Sequence, residues 1–271
     1  MSWKVVSSSF AFCITLTSLG IADTMIINPS QENTIIQTVS GTQQLSNAEG
    51  DLYVGRTNQD GQNPATISIR RGLLKFNIAG AGIPADATIT GSTLTMDDVT
   101  PGVGGNGNQT LSLHDMLNSW GTGTSYTGGG GGANATNGDA TWFDNSYNTN
   151  PSLATTWSTP GGDFSSTVVA SALDPNRIDA GTITWSSAAM ISDVQNWLNG
   201  AANDGWLLQG NESAGQTAKR LEGDNPSYDT AYPTLTVSYS VVPEPSTAAL
   251  AIAGLLAMVV VRFRRSGKPV V

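Results

Sequence analysis

Eight residues near the C-terminus, Thr234 to Val241, alternate between hydroxylic and apolar side chains. Leu235, Val237, Tyr239 and Val241 fall on one side, threonine and serine on the other. Successive side chains of a β-strand point to opposite faces, so this period of two predicts a strand with one buried face. Pro233 stands at its start, where a strand tolerates proline. The same signature recurs along the chain. Leu74, Phe76 and Ile78 alternate after an expected bulge at Arg70-Arg71-Gly72. Ile89, Leu94 and Met96 predict one or two short strands. Leu111 with Leu113 predicts another, as does Ile183 with Trp185, and Trp206 to Leu208 reads as a buried strand after a turn at Asn203-Asp204-Gly205.

One segment has a different period. Met190, Ile191, Val194, Trp197 and Leu198 follow helical spacing, with Ser187 placed to cap the start and Gly200 the end. The composition agrees with strands and turns elsewhere. Gly numbers 31, and Thr, Ser and Asn crowd the middle of the chain while Lys and Glu are scarce. The expected fold class is therefore all-β, a β-sandwich carrying one short helix. The five consecutive glycines Gly128 to Gly132 predict a mobile Gly-rich loop over about 121–137, inserted in a single domain of residues 23–241. No repeat of fixed period is visible.

Both ends read as targeting segments. Met1 to Ala22 carries one positive charge, Lys4, then an apolar run from Phe10 to Ile21, then small residues at Gly20 and Ala22. That is the pattern of a cleavable secretory signal peptide over residues 1–22. The only cysteine, Cys13, lies inside it, so the mature protein is expected to hold no disulfide, thiol nucleophile or cysteine-bound metal. Phe12 before Cys13 argues against lipid attachment.

At the other end Val242-Pro-Glu-Pro-Ser246 precedes an apolar stretch from Thr247 to Val261, and Arg262, Arg264 and Arg265 follow. Prolines keep the box extended, and the arginines are expected to stay cytoplasmic. This order resembles the PEP-CTERM sorting signal over residues 242–265, with Pro243, Glu244 and Pro245 as the sorting motif, a transmembrane segment at about 247–263 and a tail at 266–271. The resemblance implies an exosortase-type membrane enzyme as partner. It also implies export, with the inner membrane in transit and then the cell surface or extracellular matrix.

The domain between the ends resembles the DNRLRE family of secreted β-sandwich modules. The residues that carry the likeness are Arg71 to Ile78, Pro84 to Ile89, Ser92 to Leu94, Ala140 to Trp142, Asp193 to Gly200, Gly205 to Leu208, Ala218 to Glu222 and Pro233 to Tyr239. It departs from the family's Asn-Arg element around Lys219 to Gly223. The resemblance implies a jelly-roll-like fold and, in some members classed with carbohydrate-binding modules, polysaccharide binding. It does not imply catalysis.

Charge and residue inventory narrow the function further. Between Asp23 and Val242 there are 20 acidic and 7 basic residues, a net of 13 negative charges, which disfavours a nucleic-acid partner. The sole histidine, His114, shares a strand face with Thr110 and Ser112 and reads as an exposed or hydrogen-bonded strand residue. There is no nucleophile-elbow motif for a Ser-His-Asp triad, no HExxH and no EF-hand pattern. No cofactor is expected. Calcium at Asp97 and Asp98 is the weak metal candidate, against the commoner reading of solvated turn acids.

Six tryptophans lie after the first strands. Trp185 and Trp197 fit core positions by periodicity. Trp120, Trp142 and Trp157 lie in Gly/Asn/Thr-rich surroundings and are the candidates for stacking on sugar rings, although burial is the commoner fate of any one tryptophan. The resulting expectation is a non-catalytic exported surface or matrix protein that binds polysaccharide. A structural envelope protein without sugar affinity is the alternative, and a polysaccharide-degrading enzyme the second alternative.

Overall fold

The computed structural model describes residues 21–38, 44–57, 69–99, 108–175, 181–223, 232–241 and 247–266. Most of the expected signal peptide, the motif Pro243-Glu244-Pro245 and the last five residues lie outside these ranges. In chain order the elements are β1 (Ile21–Ile27), β2 (Pro29–Ile36), β3 (Leu45–Asn47), β4 (Leu52–Arg56), β5 (Ile69–Phe76), β6 (Thr88–Asp98), β7 (Gln109–Met116) and β8 (Ala133–Asn134). They continue with β9 (Asp144–Ser146), β10 (Thr155–Thr156), β11 (Phe164–Asp174), β12 (Gly181–Ser186), α1 (Ala188–Leu198), β13 (Trp206–Gln209), β14 (Lys219–Leu221), β15 (Thr234–Val241) and α2 (Thr247–Ser266). The chain is all-β with antiparallel pairing. Asp23–Tyr239 forms one compact unit, and Ser240 onward falls outside it.

Two ladders organise this unit. One runs β1-β15-β6, with β12 also on β6. The other contains β2, β5, β13, β7 and β11 as successive neighbours. Strand β4 belongs to both: Leu52 to Val54 pair with β14, whereas Gly55 and Arg56 pair with β5. Gly55 makes that corner with φ of +99°, and a Cβ there would stand 2.7 Å from the Thr217 carbonyl oxygen. Only glycine meets both requirements without strain.

The ladders are joined through side chains. Trp185 of β12 is fully buried, and its indole N–H donates to Leu111 O of β7 at 2.9 Å. This pairing of an apolar body with a satisfied N–H is what a buried tryptophan needs. On the β6–β12–β15 side, apolar residues alternate inward as the period-2 pattern predicts, with Leu94, Met96, Ile183, Leu235 and Val237 all buried. The single strand β6 takes in Ile89, Leu94 and Met96 together.

The second ladder is buried on both faces. In β13, Trp206, Leu207 and Leu208 are all inside, and in β5 Leu73 and Leu74 are both inside although they point opposite ways. One face meets the first ladder. The other is covered by the excursion 117–163 between β7 and β11. There Trp120, Trp142, Trp157 and Ala140 cluster with Ile35, Leu73, Met116 and Leu207 of the ladder.

Three sequence expectations are corrected here. Arg70-Arg71-Gly72 is not a bulge: β5 pairs in continuous register with β2 from Gln31 to Ile36 and with β13, and the register shift on that edge lies at Pro29–Gln31. The Gly-rich loop is anchored. Arg70 Nε donates to Gly130 O at 2.9 Å, Gly130 packs on the Tyr53 ring, and Ala133–Asn134 pair with β3. The third is the placing of Trp120, Trp142 and Trp157, which are buried.

Helix α1 forms where its period places it. The Ser187 side chain accepts from Met190 N at 3.0 Å, Met190, Val194 and Trp197 face inward, and Gly200 follows the end with φ of +91°.

Candidate functional site

Trp120, Trp142 and Trp157, expected as sugar-stacking platforms, are placed inside the second core at 6, 7 and 5% exposure. Two of the indole N–H groups are satisfied within the protein: Trp120 Nε1 donates to Asp204 O at 2.9 Å and Trp157 Nε1 to Thr141 O at 2.8 Å. Trp142 lies under the Arg71 guanidinium at 4.8 Å, which in turn forms a two-point ion pair with Glu212 at 2.7 and 2.9 Å. None of these indole faces is open to a ligand. The physical reason is that the outer face of the second ladder is apolar and needs a cover, and the excursion supplies it with its tryptophans.

Asp97 and Asp98 are neighbours on β6, so their side chains leave opposite faces and do not converge on one cation. Asp98 points inward, where the Lys219 ammonium stands 3.7 Å from it and 2.7 Å from the buried Asp174. The cation at this place is therefore a lysine. Among the described residues no group of three or more His, Cys, Asp or Glu side chains has the arrangement to hold a metal ion. His114 is buried rather than exposed. Its Nδ1 donates to Ser165 O at 2.9 Å and its ring meets Phe164 edge-on at 5.3 Å.

Sequence reasoning missed one carboxylate pair. Asp193 on α1 accepts the Trp206 indole N–H at 3.1 Å and lies against Asp115 of β7. Burial pushes the Asp193 carboxyl up to about 6, and the Asp115 charge adds to this against the opposing Trp206 hydrogen bond. The two carboxyls are in hydrogen-bond contact, closer than the roughly 5 Å that a glycosidic bond needs between its two catalytic acids.

Asp97 points outward, onto a surface built from three neighbouring strands. In β12, Thr182, Thr184 and Ser186 stand opposite Asp97, Thr95 and Thr93 of β6. On the other flank Gly91 of β6 abuts Ser238 of β15, with Ser238 Cβ 3.3 Å from where a glycine Cβ would be. Further along, Thr234 and Tyr232 gather with Thr95 and Asp97 around one cavity. The two strands thus run in opposite directions, and Thr236 falls beside Thr93. The result is three rows: Ser186, Thr93, Thr236; then Thr184, Thr95, Thr234; then Thr182, Asp97, Tyr232.

The cavity at the third row measures about 380 Å³ and is lined by Asn28, Thr95, Met96, Asp97, Thr182, Tyr232 and Thr234. Tyr232 is 41% exposed. Among the described residues the Asp97 carboxylate, the Asn28 amide and the hydroxyls of Thr93, Thr95, Thr184, Thr234 and Thr236 have no protein hydrogen-bond partner. An exposed ring beside a carboxylate, an amide and hydroxyls can stack on an apolar ring face while exchanging hydrogen bonds with its rim.

A second cavity, of about 600 Å³, lies at the C-terminal end of α1. Lys75, Gln31, Asn77 and Trp197 line it. Asn203 also lines it, but both ends of its amide are engaged, with Phe76 O and Gly205 N. Lys75 forms no ion pair among the described residues, whereas Arg71, Lys219 and Arg220 pair with Glu212, Asp174 and Asp51.

No protein-family model matches the chain, and no curated protein matches it.

Proposed function

We propose that this chain is an exported, non-catalytic surface or matrix protein whose jelly-roll-like β-sandwich binds polysaccharide. The observation that carries the reading is the Tyr232–Asp97 cavity, opening on a sheet face where the Asp97 carboxylate and the hydroxyls of Thr93, Thr95, Thr184, Thr234 and Thr236 have no protein partner among the described residues. Sugar recognition calls for an aromatic face with polar groups of fixed position around it, and Thr95, Asp97, Thr182 and Thr234 stand on strands, which hold side chains more firmly than loops do.

Delivery rests on the two ends. The Pro243-Glu244-Pro245 box, the apolar stretch and the basic end resemble an exosortase sorting signal, and α2 occupies that stretch as a helix of 20 residues. Its apolar part, Thr247 to Val261, has a length of roughly 22 Å at 1.5 Å per residue, against about 30 Å of hydrocarbon. Among the described residues no helix is long and apolar enough to cross a membrane. Leu255, Leu256, Met258, Val259, Val260 and Val261 are all exposed, so the helix is apolar on every side. A basic residue such as Arg262 at the end of a short apolar helix can extend to the headgroup region, which lets a span shorter than the hydrocarbon be accommodated.

The test has two arms. Full-length protein purified in detergent is expected to be retained on a polysaccharide column, and Tyr232→Ala to elute early with an unchanged melting temperature. Replacing Pro243, Glu244 and Pro245 by alanine is expected to leave export intact and to shift the protein between membrane and matrix fractions. No retention on any polysaccharide would refute the binding role, and identical fractionation would refute the sorting role.

A further inference from the structure

The rows described above carry more than a single cavity. Strands in a sheet lie about 4.8 Å apart, and every second residue along a strand is about 6.7 Å on. Three strands and three rows therefore give a polar face of about 10 by 13 Å. Each of its three strands contributes a Thr-x-Thr segment: Thr93-Leu94-Thr95, Thr182-Ile183-Thr184 and Thr234-Leu235-Thr236. Leu94, Ile183 and Leu235 lock each segment into the core, so the hydroxyls between them are held in fixed register. A β-branched side chain on a strand also has restricted rotamers, which keeps each hydroxyl near one place.

Two properties define the ligand. The rows continue beyond the cavity, from Tyr232 and Asp97 to Ser186 and Thr236, so the surface follows a chain and does not enclose a chain end. The charge also has one sign. None of the seven residues lining the cavity is basic, Asp97 stands among them, and the surrounding domain carries 13 net negative charges. A uronate or sulfate group laid on this face would meet a carboxylate with no cation among the described lining residues to offset it, at a distance well inside the screening length of about 8 Å. A sugar hydroxyl instead donates to the Asp97 oxygens, which accept only, and exchanges bonds with threonines, which do both. Charge thus separates this face from the Lys75 cavity.

We infer that the outward face of β6, β12 and β15 is an extended site for a neutral polysaccharide, stacked at Tyr232, bonded along the threonine rows, and protected against acidic polymers by Asp97. The inference rests on the polysaccharide-binding reading and adds the ligand class and the residue that sets it.

The experiment uses the full chain in detergent, with soluble mixed-linkage β-glucan and polygalacturonate as probes, followed by calorimetry and affinity electrophoresis. The wild type is expected to bind the glucan and leave the polygalacturonate free. Thr95→Val with Thr234→Val keeps shape and strand preference but removes two hydroxyls, and should weaken glucan binding about tenfold or more with the melting temperature unmoved. Asp97→Asn should admit polygalacturonate, a gain that a merely structural aspartate would not give, and should weaken glucan binding, because one acceptor oxygen becomes a donor amide. Polygalacturonate bound by the wild type and released by Lys75→Ala would move the site to the α1 cavity. That outcome overturns this inference while leaving polysaccharide binding standing. Glucan binding indifferent to both threonines and to Tyr232 would overturn it as well. Binding of neither polymer would remove the inference, and failure on other polysaccharides too would remove the function it rests on.

Discussion

Replacing Asp193 by asparagine should stabilise this protein at alkaline pH and do nothing at acidic pH. In the folded chain the Asp193 carboxyl is pushed up to about 6, by burial first and then by Asp115. In the unfolded chain an aspartate titrates near 3.9. The native state therefore holds a proton that the unfolded state releases between those values. Its stability falls as pH rises through that window, and the full cost is present above it. Two units correspond to about 3 kcal/mol. The group is half-buried, so solvent screening reduces this to about 1.5 kcal/mol. Asparagine carries no charge, its Oδ1 can still accept the Trp206 N–H, and its amide can donate to Asp115. At pH 8 the variant should melt about 3–6 °C above the wild type, and below pH 4 the two should coincide. Differential scanning calorimetry at pH 4, 6 and 8 in low salt measures this. An equal shift at all three pH values, or a variant less stable at pH 8, would refute the carboxylate-pair argument.

The second core gives two further expectations. Trp142→Ala should cost about 3–5 kcal/mol, as much as Trp197→Ala, because both indoles are inside. Urea melts of the two variants compare them directly, and a tolerated Trp142 loss would mean that the excursion does not cover the sheet. Arg71→Lys should cost about 1–3 kcal/mol, since lysine cannot reproduce the two-point pair with Glu212 while lying on Trp142. An unchanged urea midpoint would show that the clamp over Trp142 contributes nothing.

The parts legible in the sequence were those where hydrophobicity and burial keep the same period. Strands β12 and β15 and helix α1 have large apolar residues inward and polar ones outward, and β13 is a short apolar run buried throughout. Strand β11 was missed because it inverts that code. Ala170, Ala172 and Asp174 are buried while Val168 and Leu173 are exposed, and the inward Asp174 pairs with Lys219, far away in sequence. Strand β2 was missed because Glu32, Asn33 and Thr34 are buried polar residues. Asn33 alone donates to Thr122 O and Ala140 O and accepts from Ser46 Oγ. A polar network of this kind reads as a loop in one dimension and becomes a core strand only when its partners meet.

The tryptophan assignment failed for a related reason. Gly, Asn and Thr around Trp120, Trp142 and Trp157 indicate irregular backbone, and irregular backbone is commonly on the surface. Irregular and exposed are different properties, though. Three tryptophans in a long excursion are too much apolar area to leave in water. The complementary clue lay elsewhere in the chain. Trp206-Leu207-Leu208 and Leu73-Leu74 are runs without alternation, and a strand apolar on both sides requires a cover on both sides. Sheet β5–β13–β7 lacked a second partner, and the excursion had aromatics with no sheet of their own. Each deficit answers the other. That leaves the Asp97 carboxylate and the hydroxyls of Thr93, Thr95, Thr184, Thr234 and Thr236, on regular strands that the sequence did predict, facing outward without a protein partner among the described residues, with the exposed Tyr232 ring just before β15.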